Sequence, residues 1–180
     1  MKNYLFLCLM AYFTLSCDDA KDALSELTKF ELEYDSEITV PATTIVNTPI
    51  TLDTPPVTTN SSTRFEEQNT NADLVEGVKL LKMTLTITDP TDGNFDFLEE
   101  LKVGIKADGL EEVQVAIASD IMDDGKRILE METFDVELKS YIIQDEFSLN
   151  VSTTTDQTIN EAYDISIKSI FEVDFEVLGL

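Results

Sequence analysis

The sequence predicts an all-β protein, an antiparallel β-sandwich of Greek-key or jelly-roll type, with a closed β-barrel as the second choice. Three observations predict this fold class. Apolar and polar residues alternate over many short stretches, which is the pattern of half-buried strands. Segments rich in Thr, Asp, Asn, Pro and Gly separate these stretches and are typical of turns. The chain of 180 residues, 43% of them hydrophobic, is long enough for one domain with a core.

The first strands are predicted by strict alternation. TKFELEY places Phe30, Leu32 and Tyr34 on one face, and SEITVP continues the pattern with Ile38 and Val40. PITLD is predicted as a short strand, and TPPVTTNSSTR as an extended loop. In NADLVEGVKLL we expect a helical turn over residues 74–78. The next stretch, LKMTLTIT, is predicted as a strand whose inward face carries Leu81, Met83, Leu85 and Ile87.

The middle of the chain mixes strands with turns. DPTDGNFDF is predicted as a turn and FLEEL as a short helical piece, followed by strands in LKVGIKA and VQVAIAS. Asp124 and Gly125 predict a hairpin tip before RILEME, because an Asp-Gly pair accepts positive φ. FDVELKSYII is compatible with a strand, but Leu138, Tyr141 and Ile142 have helical spacing. FSLNV is a strand, and TTTDQTIN a polar loop.

The last stretch, YDISIKSIFEVDFEV, carries the longest alternation. Only Ser169 interrupts its apolar row, and Ile170 interrupts the polar row at the same place, so a bend or bulge is predicted there. The apolar residues all fall on odd positions: Tyr163, Ile165, Ile167, Phe171, Val173, Phe175 and Val177.

The N-terminus, MKNYLFLCLMAYFTLSC, has the form of a secretory signal. Lys2 gives it a positive start, and the apolar run of residues 4–15 is too short to span a bilayer. FTLSC resembles the lipobox of bacterial lipoproteins. In that family the signal is cut before the cysteine, which receives a diacylglyceryl group and an acyl chain such as palmitate. The resemblance implies lipidation at Cys17, the alternative being an ordinary secretory signal followed by a free thiol.

This resemblance divides the chain into residues 1–16 as signal peptide, 17–27 as lipidated cysteine and tether, and 28–180 as a single β-sandwich domain. It also implies a lipid anchor in the cell envelope as the membrane contact. Asp18 and Asp19 follow the cysteine directly. They are similar to the acidic export signal of Bacteroidetes surface lipoproteins, whereas in enterobacteria an aspartate here favours the inner membrane. We expect an outer-membrane or cell-surface location.

Composition excludes several classes of function. The net charge of −24 would repel phosphate backbones, so nucleic acid is not expected as a partner. The chain has no histidine, which removes Ser-His-Asp triads and His-ligated metals, and its six glycines form no phosphate loop. Carboxylate pairs remain at Glu99–Glu100 and Glu111–Glu112. Because such pairs arise by chance in a chain with 36 acidic residues, we predict that the protein is not an enzyme.

One turn is a candidate metal site. In DPTDGNFD, the side chains of Asp89, Asp92, Asn94 and Asp96 offer oxygen ligands around Gly93. Ca²⁺ binds several such oxygens in flexible loops, so the turn is a candidate calcium site. The register of an EF-hand loop is not met, and the alternative is a solvated β-turn.

The general expectation is a non-catalytic domain in binding or in envelope structure, with a protein or a glycan as partner. A carbohydrate-binding surface module is one alternative, for which Tyr141 and Phe95 are candidate exposed rings in a chain without Trp. An adhesin or pilus-like assembly subunit that exchanges strands is another. For that class, Arg64 in the loop SSTRFEE is a candidate processing site.

Overall fold

The computed structural model describes residues 28–176. The predictions for the signal peptide, Cys17 and the tether lie outside these residues. The described part of the chain contains ten strands and two short helices. The strands are β1 (Lys29–Val40), β2 (Pro49–Asp53), β3 (Val57–Thr58), β4 (Val75–Asp89), β5 (Leu98–Lys106), β6 (Val113–Ser119), β7 (Ile128–Glu130), β8 (Glu132–Thr133), β9 (Glu146–Thr155) and β10 (Tyr163–Phe175). The helices are α1 (Ser61–Glu67) and α2 (Lys139–Ile142).

The strands form two antiparallel sheets that pack against each other. The four-stranded sheet has the order β1-β10-β4-β7. The six-stranded sheet has the order β2-β9-β5-β6-β8, and β3 pairs with β9 beside β2. The predicted all-β sandwich is therefore confirmed, and over residues 28–176 the sheets do not close into the barrel that was the second choice.

The core lies between the two inner faces. Alternation places the even-numbered residues of β1 and the odd-numbered residues of β10 inside. An aromatic cluster joins the two sheets: Tyr34 and Phe171 come from the four-stranded sheet and Phe147 from the other, with edge-to-face ring centroids 5.3–6.0 Å apart. Such pairs stabilise the packing beyond the area they bury.

The irregularity predicted in the last strand is present, but the extra residue belongs to its neighbour. The register between β10 and β4 shifts between Ile170 and Phe171, whose partners are Lys82 and Leu80. Leu81 is the residue left over, and it is 50% exposed. The expectation that Leu81 shares the inner face with the rest of β4 is therefore wrong, because the bulge turns it outward.

Two local expectations of helix are also wrong. The stretch around residues 74–78 begins strand β4, and FLEEL begins strand β5. In both places cross-strand pairing outweighs the weak helical spacing of a few apolar residues. The helical reading of FDVELKSYII is right, because α2 buries Tyr141 and Ile142.

The segment that contains Asp124 and Gly125 is not a hairpin. Gly125 has the positive φ (+71°) that the Asp-Gly pair predicts. The flanking strands, however, lie in different sheets, because β6 pairs with β5 and β7 pairs with β4.

One side of the sandwich is closed by continuous backbone. The chain passes from β7 in the four-stranded sheet to β8 in the six-stranded sheet with only Met131 between them. The amide of Met131 donates to the carbonyl of Met83 (3.0 Å), and that of Phe134 donates to the carbonyl of Val115 (2.9 Å). The segment of residues 128–133 therefore links the two sheets at this side.

The opposite side of the sandwich ends in β1, whose outer edge pairs with no other strand within residues 28–176. Here the backbone of residues 41–48 passes from β1 to β2 of the other sheet, the Tyr34 hydroxyl donates to the Thr59 carbonyl (3.0 Å), and Arg64 Nη1 of helix α1 donates to the Glu33 carbonyl (2.9 Å). On the outward face of β1, four alternating carboxylates are exposed: Glu31, Glu33, Asp35 and Glu37. Like charges along an edge strand disfavour pairing with a second copy of itself.

The register of β1 and β10 defines the two ends of the domain. Lys29 pairs with Asp174 at the end where the described chain begins, and Val40 pairs with Tyr163 at the other end. We call the latter the far end; it carries the connecting segments 41–48, 90–97, 120–127 and 156–162. Within residues 28–176, no helix is long and apolar enough to cross a membrane.

Candidate functional site

The predicted lipidation site, Cys17, lies outside the described residues, so its modification stays a prediction. The first strand begins at Lys29. An extended chain spans at most about 3.5 Å per residue, so the segment from Cys17 to Lys29 has a maximum reach of about 40 Å. An anchored domain on such a segment would stay within about its own length of the membrane surface.

The turn proposed for calcium is built from internal hydrogen bonds. The amide of Asp96 donates to Asn94 Oδ1 (3.1 Å), and the amide of Gly125 donates to Asp96 Oδ1 (2.9 Å). Gln157 Nε2 donates to the Asp96 carbonyl (2.9 Å). These bonds tie the turn to two other segments of the far end. They give Asn94 and Asp96 structural roles as hydrogen-bond acceptors.

Tyr163 packs closely over this turn. A Cβ atom added at Gly93 would lie 2.8 Å from Tyr163 Cε1, so the ring requires glycine there. Burial raises the pKa of the Tyr163 hydroxyl, and the charges of Glu161, Asp92 and Asp96 raise it further. The negative charges around the turn therefore make the Tyr163 hydroxyl harder to ionise.

The four predicted calcium ligands do not form an evident metal cage. Asp89 lies in β4 opposite Asp164 of β10, while the other three lie in the turn that follows. In the part of the chain that the structure describes, no group of three or more Asp, Glu, His or Cys residues lies close enough together to hold a metal ion. Calcium binding at Asp89, Asp92, Asn94 and Asp96 stays a prediction.

The two candidate carboxylate pairs are used in other ways. Glu100 pairs with Lys102 (2.5 Å), while Glu99 is exposed at the register shift between β5 and β9. Glu112 lies across Gly104, where an added Cβ would be 2.6 Å from its Oε1. The carbonyl of Glu111 accepts a hydrogen bond from the Tyr141 hydroxyl (2.6 Å).

The rings proposed for sugar contact are buried. Tyr141 is 6% exposed and Phe95 is 2% exposed, so the expectation that they lie on the surface is wrong. Tyr141 packs through α2, and Phe95 lies beneath the turn at the far end. Among the described aromatic residues, Phe134 has the largest exposure recorded, at 36%. A flat aromatic platform of the kind that binds sugars is therefore not evident in residues 28–176.

Arg64, proposed as a processing site in a loop, lies in helix α1. Its guanidinium carbon lies 4.6 Å from the centroid of the Tyr34 ring, and its Nη1 bonds the Glu33 carbonyl. The helix also buries Phe65 completely. The extended loop predicted for this stretch is therefore wrong, and Arg64 is held against the edge of β1.

A polar network crosses the outer face of the six-stranded sheet. Asp53 accepts hydrogen bonds from Asn150 Nδ2 (2.6 Å) and Lys106 Nζ (2.9 Å), and Lys106 also pairs with Glu112 (3.3 Å). The bond from Asn150, followed by that from Lys106, lowers the pKa of Asp53. The bond to Asp53 raises the pKa of Lys106 despite the opposing effect of desolvation. The carboxylates of Asp53 and Glu112 and the ammonium group of Lys106 are paired with one another, which indicates that the network has a structural role.

A cleft opens at the far end, between the end of β6 and the β7–β8 segment. Its volume is about 260 Å³. Its floor is formed by Phe95, Ile117, Ala118, Ile121 and Leu129. We call it the far-end cleft; its rim consists of Ser119, Asp120, Met122, Asp124, Lys126, Glu130 and Glu132.

Sequence reasoning did not predict this cleft. Its residues come from a strand end, a connecting segment and the switch between sheets, and no motif marks them as neighbours. Met122, which stands between acidic residues in DIMDD, is 69% exposed at the rim of the cleft. A single exposed apolar residue is normal on a protein surface, so its presence in the sequence did not mark the cleft.

Comparison with known proteins adds little to this geometry. No family model and no curated protein matches the chain. Among solved structures, the chain is similar to a protein of Desmodium yellow mottle tymovirus, with 11% identity over 84% of this chain and 91% of that chain and a TM-score of 0.28. It is also similar to a chain of the empty head of turnip yellow mosaic virus, with 9% identity over 83% of this chain and 82% of that chain and a TM-score of 0.24. At these scores the similarity does not indicate a common function.

Proposed function

We propose that the protein is a lipid-anchored lipoprotein of the bacterial envelope whose β-sandwich is a non-catalytic domain for binding or envelope structure. The observation that carries this proposal is the sequence FTLSC followed by Asp18 and Asp19. A signal of this form supplies a thiol for acylation, and two or more acyl chains hold a protein firmly to a bilayer. The location that we propose is the outer membrane or the cell surface.

The cysteine content supports the anchor. Cys8 lies within the predicted signal peptide, so cleavage before Cys17 leaves one cysteine at the first position of the mature chain. No disulfide can then form within the mature protein. A lone thiol would be reactive in an oxidising compartment, and acylation removes it.

The position of the proposed anchor relative to the fold supports one orientation of the domain at the membrane. Strand β1 begins at Lys29 beside the end of β10 and runs the length of the four-stranded sheet to Val40. An anchor at Cys17 pulls on the Lys29 end. We infer that the far end, with its connecting segments and its cleft, faces away from the membrane, where a partner has access.

The test of the anchor is the intact mass of the protein extracted from membranes. We expect the mass of residues 17–180 plus a diacylglyceryl group and an acyl chain. In the Cys17→Ser variant we expect retention of the leader or release from the membrane fraction. Cys8→Ser is the matched control and should be processed and located as in the wild type. A Cys17→Ser protein that is cut and retained in the membrane to the same extent would refute the proposal.

The test of surface exposure uses added protease on intact cells. We expect the wild-type domain to be cleaved and an Asp18→Asn, Asp19→Asn double variant to be protected inside the envelope. The control is Asp22→Asn, which removes a charge farther along the tether. Equal protection of the wild type and the double variant would place the domain on the inner side.

A further inference from the structure

We propose that the far-end cleft receives a lysine or arginine side chain from a basic segment of a partner protein. The inference deepens the proposed function, since it names the partner chemistry of a domain proposed to bind at this end. Two properties of the cleft carry it, namely an apolar floor of limited volume and a rim whose negative charge is not fully neutralised.

The floor suits an aliphatic stem. Phe95 is fully buried beneath it, while Ile117, Ala118, Ile121 and Leu129 are partly covered. Met122 stands at the rim with 69% of its surface exposed. Lysine and arginine bury three or four methylene groups along such surfaces and keep the charged head at the edge. A methionine at the rim adapts to the shape of such a stem.

The rim suits a cation. Two of its carboxylates are already paired, Asp124 with Lys126 (2.5 Å) and Glu130 with Lys82 (2.9 Å). Asp120 and Glu132 have no ion pair among the described residues. A positively charged group on the apolar floor would therefore meet two carboxylates that lack a counter-ion.

The size of the cleft fits a long side chain. Pockets for drug-sized ligands have volumes of about 300–1,000 Å³. The far-end cleft has about 260 Å³, which is room for one or two long side chains. Because the rest of the partner would lie on the acidic surface around the cleft, we expect the occupant to belong to a basic segment.

The experiment is an NMR titration of the isotope-labelled full chain in zwitterionic detergent micelles. The probe is a short capped peptide, Gly-Leu-Lys-Leu-Lys-Gly. A second peptide replaces each lysine by 2,4-diaminobutyric acid, which keeps the positive charge at neutral pH and shortens the stem by two methylene groups. We expect shifts confined to residues 95 and 117–132 with the lysine peptide, and at least about tenfold weaker binding of the short-stem peptide. Equal affinity for both peptides would overturn the role of the apolar floor.

Two variants of equal charge separate the cleft from the general acidity of the chain. Asp120→Asn with Glu132→Gln removes the two unpaired carboxylates, and Asp35→Asn with Glu37→Gln removes two charges from the outer face of β1. We expect the first variant to weaken binding of the lysine peptide by about tenfold or more, and the second by less than about twofold. Equal weakening in both variants, or shifts spread over the whole surface, would overturn the proposal.

The outcome is independent of the lipid anchor. The titration reports on the purified protein whether or not Cys17 is acylated, so a negative result would leave the anchoring proposal untouched. Conversely, a Cys17→Ser protein that binds the lysine peptide normally but leaves the membrane would support both proposals separately. Folding of each variant is checked by its retained spectral dispersion away from residues 117–132.

Discussion

Tyr34 is expected to control the stability of the sandwich at high pH. Its ring is 4% exposed, and its hydroxyl donates to the Thr59 carbonyl across the two sheets (3.0 Å). Burial raises the pKa of this hydroxyl from 10.0 to about 12, against the smaller lowering effect of Arg64. Because the folded pKa lies above the unfolded one, the stabilisation is complete below about pH 10 and is lost as the pH rises through about 12.

The perturbation is Tyr34→Phe, and the structure gives the size of its effect. Near neutral pH the variant lacks one buried hydrogen bond, so its free energy of unfolding should be about 1 kcal/mol lower. A pKa difference of about two units corresponds to about 2.7 kcal/mol, of which about 1.4 kcal/mol is lost by about pH 11. The wild type loses this stability and the variant does not. The two proteins should be equally stable near about pH 11, and above it the variant should be the more stable.

The assay is urea unfolding of both proteins at a series of pH values from about 8 to about 11.5, because the free energy follows from the midpoint and slope. The ultraviolet absorbance of tyrosinate, compared between the two proteins, gives the pKa of Tyr34 directly. A stability difference that stays constant over this range would refute the argument. It would mean that the buried hydroxyl titrates alike in the folded and unfolded chains.

Four other outcomes can be checked on the purified chain. Phe171→Ala should lower the free energy of unfolding by about 3–5 kcal/mol in urea unfolding, because it empties a fully buried site, whereas Phe134→Ala at the surface should cost less than about 1 kcal/mol. Thr70→Val should raise it by about 1 kcal/mol, since the buried hydroxyl of Thr70 has no hydrogen-bond partner among the described residues; a lower value would reveal a partner. The predicted calcium site at the turn of residues 89–96 is tested by the melting temperature: a rise with Ca²⁺ that Asp92→Asn abolishes would establish the site, and no change in the wild type would leave the turn as a solvated β-turn. When threonine replaces the outward carboxylates of β1 (Glu31, Glu33, Asp35 and Glu37), light scattering should show a larger mass than for the wild type. An unchanged mass would show that these carboxylates do not prevent pairing of β1 with a second copy.

The strands were the part of the fold that the sequence made predictable. Alternation is a local property, so the inward faces of β1 and β10 follow directly from their own residues. Leu81 fits the same alternation in the sequence. It is nevertheless exposed, because no residue of β10 pairs with it at the register shift. That choice depends on β10, some ninety residues later in the chain, and no local pattern reveals it.

The candidate sites were less predictable, for the same reason. Asp53 and Lys106 form an ion pair although they are 53 residues apart in sequence. The rings of Phe95 and Tyr141 are buried by segments that the sequence gives no reason to place near them. Arg64 lies in a Ser- and Thr-rich stretch that reads as a loop, and it becomes helical where Phe65 is buried. Each of these outcomes depends on tertiary packing, which overrides local propensity.

Residues 128–133 pass from one sheet to the other with only Met131 between the two strands, so the sheets are joined closely on that side. On the side of β1 the backbone that joins the sheets is the longer segment of residues 41–48, to which the hydrogen bonds of Tyr34 and Arg64 are added. A partial separation of the two sheets should therefore begin on the side of β1, where the connection between them is longer. Strand β1 also follows the proposed tether. Tension from a membrane anchor would therefore act on the side of the domain that separates most easily.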